Sequence, residues 1–120
     1  MANEINATAG LNITKGGVTL NHTTTARHDM AGAEMIHRTQ VVGTSAEQVT
    51  FGDITGAPGI LKITNQDATN YVELALDSGM TNKFAKIRPG GVVLLQPASA
   101  TLYAQANTAA CRILVQAGEL

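Results

Sequence analysis

Short segments of alternating apolar and polar residues recur along this chain about every ten positions, with turn residues between them. The clearest is YVELAL (71–76), in which Val72, Leu74 and Leu76 are expected to face inward and Tyr71, Glu73 and Ala75 outward. A period of two is what a half-buried strand requires, because successive side chains leave opposite faces. ILKITN (60–65) puts Leu61 and Ile63 on one face, and EQVTF (47–51) does the same for Val49 and Phe51. MIHRTQVVG (35–43), FAKIR (84–88), TLYAQA (101–106) and CRILVQ (111–116) read as further strands. VVLLQ (92–96) is continuously apolar, which predicts a strand buried on both faces, closed by Pro97.

The punctuation agrees. GDITGAPG (52–59) is turn chemistry, and Pro89-Gly90 suits the central positions of a type II turn. NQDATN, from Asn65 to Asn70, is expected to be the loop of a β-hairpin joining 60–65 to 71–76. Asn65 and Asp67 would bond nearby backbone there. No window carries the i, i+3, i+4, i+7 stripe of an amphipathic helix. The prediction is all-β: an antiparallel β-sandwich, jelly-roll-like, of about 8–9 short strands. A chain of 120 residues fits one domain.

Residues 1–34 are the least apolar part. Leu11/Ile13 and Val18/Leu20 alternate on either side of Lys15-Gly16-Gly17, which reads as a hairpin turn. Residues 21–34 have no clear period and read as a loop or edge strand. The organisation expected is residues 1–34 as an extended N-terminal arm with the first strands, and residues 35–120 as the sandwich body.

Composition argues against several functions. Charged residues are 14% and the net charge is −1, with cations scattered along the chain. Nucleic-acid binding needs a dense basic face, and stacking of bases needs aromatics, which are 3% here with no Trp. No nucleic-acid partner is expected. Neither a signal peptide nor a membrane span can be read, so no membrane association is expected. His22, His28 and His37 match no zinc spacing, no acidic ladder suits calcium, and neither Gly pair precedes a helix as a phosphate loop does. No cofactor, metal or small-molecule substrate is expected. Ser45, Ser78 and Ser99 lie in turn contexts rather than in G-x-S-x-G, and the carboxylates have local roles as turn or solvent-facing residues. Cys111, the lone cysteine, reads as a small buried hydrophobe in a strand. No catalytic residue is assigned.

Two stretches, VTFGDITGAPGILKITNQDATNYVELAL and KIRPGGVVLLQPASATLYAQANTAACRILV, give residues 41–117 a pattern that resembles small virion structural proteins of tailed bacteriophages. These pair a G-x-L/I-x-I/V-x-N-x-D-A-T-N-Y/F-V segment with a K-x-x-P-G turn and a late T-L-Y-A-x-A-N-T-A-A segment. The resemblance implies a non-enzymatic coat component, closest to a capsid decoration (cement) protein. Such a protein sits on the outside of an assembled capsid and bridges copies of the major capsid protein. It is commonly a homotrimer, located on the virion surface and, during assembly, in the host cytoplasm. On that reading the arm, with Asn3, Glu4, Ile5, Leu11 and Ile13, lies along the coat or a neighbouring copy. Two alternatives remain: a tail, neck or fibre component, and a glycan-binding adhesin module. For the second, Tyr71, expected to point away from the Val72/Leu74/Leu76 face, is the aromatic to test as a glycan contact.

Overall fold

The computed structural model describes residues 4–30 and 32–119. It is all-β, with ten strands among these residues and no helix. They are β1 (Ile5–Lys15), β2 (Val18–His28), β3 (Met35–Val42), β4 (Glu47–Gln48), β5 (Ile60–Asn65), β6 (Val72–Ala75), β7 (Lys83–Ile87), β8 (Val92–Leu95), β9 (Tyr103–Ala106) and β10 (Cys111–Gly118). Strands β1 and β2 form a separate hairpin. The other eight make two antiparallel four-stranded sheets, ordered β3-β10-β5-β8 and β4-β9-β6-β7.

The inward residues of both sheets meet in one core. Val42, Leu61, Ile63, Ile113 and Val115 come from the first sheet, and Val72, Leu74, Ile87 and Ala104 from the second. Cys111 is wholly buried among them. This is the sandwich that the alternation predicts. Eight strands build it, and the first two stand apart.

Three expectations need correction. First, NQDATN does not close a hairpin. Strand β5 pairs with β10 and β8, whereas β6 lies in the opposite sheet beside β9 and β7. The segment is an arch that carries the chain across the core. Alternation cannot separate the two cases, because in a hairpin and in an arch the apolar residues face the same core.

Second, Leu76 is exposed and Ala75 is buried. The pairing of β6 with β7 shifts at Leu74/Ala75: Leu74 faces Ala85 and Ala75 faces Lys83, leaving Phe84 unopposed. That bulge rotates the strand end and carries Leu76 to the solvent side. Third, β8 is not buried on both faces. It is an edge strand, paired only with β5, and Val92 is 56% exposed.

The turn at Pro89-Gly90 forms as expected, with Gly91 N–H donating to the Arg88 carbonyl at 2.8 Å and Gly90 at φ 74°. EQVTF is a strand only over Glu47–Gln48, although Val49 and Phe51 are both buried as the alternation predicts. The radius of gyration is 15.3 Å. A compact chain of this length has about 13.6 Å. Strands β1 and β2, exposed along nearly all of their length, are in keeping with the larger value.

Candidate functional site

The hairpin follows from its turn. Gly16 and Gly17 both have positive φ, 59° and 81°, as a two-residue type I′ turn demands. That turn sets the register: Lys15 opposes Val18, Ile13 opposes Leu20 and Leu11 opposes His22, continuing to Ile5 opposite His28. Residues directly opposite in an antiparallel pair share a face. The hairpin is therefore two-sided. One side carries Ile5, Ala7, Ala9, Leu11 and Ile13 with Val18, Leu20 and Ala26. The other carries Asn and Thr side chains with Arg27.

Cross-strand bonds stitch the polar side. Thr8 and Thr25 hydroxyls lie 3.1 Å apart, those of Thr14 and Thr19 3.2 Å, and Arg27 Nε donates to Asn6 Oδ1 at 3.0 Å. The apolar side is covered only at its root. Ile5 is half-buried against Gly118, so close that a methyl group added to that glycine would lie 3.5 Å from Ile5 Cδ1. Beyond the root the stripe is open: Leu11 is 65% exposed, Ile13 49%, Val18 64% and Leu20 62%. Burying a side chain of this size contributes about 1.5–3 kcal/mol. A two-stranded hairpin in water is marginal on its own. Four of the nine exposed large apolar side chains among the described residues lie on this stripe.

An open groove of about 760 Å³ lies where the hairpin root meets the outer face of the β3-β10-β5-β8 sheet. Ile5, Ala7 and Met30 line one side, and Met35, Ile60 and Leu94 the other, with Glu4, His37, Lys62 and Gln116 adding polar groups. Val41 and Val92, further along that outer face, are also exposed.

The contact residues expected from sequence separate on this geometry. Asn3 lies outside the described residues. Glu4 Oε1 accepts from Met30 N–H at 3.1 Å and so ties the root together. Ile5 packs on the chain's own body. Leu11 and Ile13 lie on the open stripe. Val18 and Leu20 complete it, and were not among the expected contacts. Their signal was present in the sequence: a two-residue turn at Gly16-Gly17 forces Ile13 opposite Leu20.

Tyr71 sits one residue before β6 and is half-buried. Its N–H donates to Asn107 Oδ1 at 3.0 Å, and the Lys86 ammonium lies over its ring, 4.5 Å from the centroid. One face of the ring is therefore already occupied by a cation. A sugar stacked on that face would have to displace Lys86.

The polar loops are internally satisfied. Asp67 Oδ2 accepts from Asn70 N–H at 2.6 Å and Thr69 N–H at 2.9 Å, which holds its carboxyl below the usual range. Asp77 accepts from the Thr81 hydroxyl and from Asn82 and Thr81 N–H groups, with the same effect. Burial pushes the Cys111 thiol up, and the Asp67 charge adds to this. His22 and His28 lie on the stripe side of the hairpin, and His37 lies beside Gln116 on the outer sheet face. Among the described residues no group of three or more His, Cys, Asp or Glu is placed to hold a metal ion. No helix among them is long and apolar enough to cross a membrane.

Compared with known proteins, the chain matches no family model and no curated protein.

Proposed function

We propose that this chain is a non-enzymatic virion structural protein of the capsid decoration (cement) type. It binds the outside of an assembled phage capsid, bridges copies of the major capsid protein and acts as a homotrimer. The observation that carries this reading is the hairpin: eleven-residue strands held clear of a complete sandwich, with an apolar stripe open along most of their length. A rigid body with a projecting adhesive arm suits a protein whose work is contact. By linkage, a protein that binds only the assembled coat shifts the equilibrium toward the closed shell.

The likeness of residues 41–117 to phage virion proteins supports the setting. The strand order lends support too. Within the eight-stranded sandwich, chain neighbours fall in opposite sheets, except for the β6–β7 hairpin. That interleaving favours a jelly-roll reading, the architecture of many viral capsid and lectin domains. Fold analogy suggests a setting rather than an activity. The covered face of Tyr71 weighs against the lectin branch of that analogy.

Counting copies per particle tests the assignment. Quantitative mass spectrometry of purified virions should find hundreds of copies, and low-resolution images should place them on the outer shell. A few dozen copies or fewer would move the protein to the tail, neck or fibre. Absence from the particle would overturn the virion reading.

A further inference from the structure

We infer that the outer face of the β3-β10-β5-β8 sheet is the seat of this protein on the coat, and that the coat surface it meets sets carboxylates among apolar side chains. This rests on the decoration reading. It adds which face of the body binds and what chemistry it recognises.

The register defines the face. Cys111, Ile113 and Val115 point into the core, so Arg112, Leu114 and Gln116 on β10 point out. Opposite them on β3 are Val41, Thr39 and His37. On the other side are Thr64 and Lys62 of β5, then Val92 and Leu94 of β8. Val41, Val92 and, at the end of the face, Met35 are exposed.

The fixed charges on this face have one sign. Lys62 and Arg112 are exposed, and neither has an ion-pair partner among the described residues. Lys62 opposes Gln116, four residues along β10 from Arg112, which separates the two cations by roughly 14 Å. No Asp or Glu occurs in β3, β10, β5 or β8. The opposite sheet differs. There Lys83 pairs with Glu73 at 3.1 Å and Lys86 covers the Tyr71 ring, so these charges are met within the chain. Lys62 and Arg112 are left for something outside it.

That charge pattern selects the occupant. If this face met its own copy, the fixed charges of its strands would be cations on both sides, and like charges brought together oppose association. A protein held by a phosphate polymer makes about 6–10 phosphate contacts, and two fixed cations are few for that. Apolar side chains with Met35 and Arg112, and no Asp or Glu, match the bias of protein interfaces. The face also runs into the hairpin. Met35, Ile60 and Leu94 form one wall of the groove, and Ile5 and Ala7 the other. A coat surface seated on the sheet thus meets the arm as well. Glu4, the carboxylate lining this groove, is already bonded to Met30 N–H.

Co-sedimentation with purified coat particles that lack this chain tests the face. The wild type should bind. Lys62→Glu with Arg112→Glu should weaken the apparent affinity at least about tenfold and flatten its dependence on salt. Lys86→Glu with Arg88→Glu, at the end of β7 in the other sheet, makes the same change in net charge and should bind as the wild type does. All four positions are exposed, and circular dichroism checks that each variant keeps the sandwich. The milder pair Lys62→Gln and Arg112→Gln should weaken binding in the same direction. Equal binding by the wild type and the face variants overturns the inference and leaves the decoration reading standing. Equal loss in both charge-reversed variants assigns the effect to net charge and overturns it too. A wild type that ignores coat particles sinks the decoration reading, and the coat as partner with it. Sedimentation of the chain alone, and its binding to duplex DNA or phosphatidylserine vesicles, probe the other occupants. An oligomer, or phosphate binding, that is lost on Lys62→Glu with Arg112→Glu would give the face to a second copy or to a phosphate surface and overturn the inference.

Discussion

The side-chain amide of Asn65 donates to the carbonyl oxygen of Ile87, 3.0 Å away, and so joins a strand of one sheet to a strand of the other. Asn65 is the one buried polar residue among the described core positions. The same amide donates to Asn70 O at 2.9 Å, and Oδ1 accepts from Asp67 N–H at 2.9 Å. All three polar positions on this side chain that the arch needs are filled. Removing the amide strands backbone groups that have lost their water.

Asn65→Leu should therefore destabilise the fold by about 2–4 kcal/mol, since each buried group left unpaired costs about 1–3 kcal/mol. Asn65→Asp keeps the acceptor but loses both donations, and should also destabilise. Urea unfolding followed by circular dichroism checks both. A change under about 0.5 kcal/mol, the size of an ordinary surface substitution, would show that the bridge does not hold the arch.

Acid should loosen the arch and the 77–82 loop. Backbone N–H groups hold Asp67 below the ordinary aspartate value, as the Thr81 hydroxyl and nearby N–H groups do for Asp77. The unfolded chain then takes up protons first as pH falls. The stabilisation is present above about pH 4, the unfolded aspartate value, and is lost as pH drops through the lower folded values. Stability measured from about pH 6 down to about pH 2 should fall less steeply in a variant carrying Asp67→Asn and Asp77→Asn. Parallel curves would remove the two carboxyls from the account.

The bulge between Leu74 and Ala75 makes a paired prediction. Leu76→Thr should change stability by no more than about 0.5 kcal/mol, because the side chain is already in water. Ala75→Leu should destabilise by about 1–3 kcal/mol, because it adds volume to a filled core. Strict alternation through residue 76 would give the opposite ranking, so denaturant midpoints for the two variants decide between them.

Cys111 should be unreactive in the folded protein. It is wholly buried, its thiol is pushed up by that burial, and its Sγ lies 3.6 Å from the Asn70 carbonyl oxygen. The thiolate is the reactive form. Iodoacetamide labelling followed by mass spectrometry should be orders of magnitude slower in buffer than in denaturant. Rapid labelling without denaturant would mean that the arch opens locally.

The class of the fold, most of the strand faces and the turns at residues 16–17 and 89–90 were legible in the order of residues. Its periods place Leu61, Ile63, Val72 and Leu74 inward, and the glycines of residues 16–17 and 90 sit where positive φ is needed. These features are local: a side chain's face depends on its neighbours one and two positions away. Three other outcomes emerge only from the packed molecule: which strands pair, that NQDATN crosses the core instead of doubling back, and that Leu76 points outward. They depend on residues far along the chain, Ile87 for Asn65 and Lys83 for Ala75. The hairpin lies between the two cases. Its turn and register follow from Gly16-Gly17. That its apolar side is left uncovered became visible only once the other eight strands had closed a core without it.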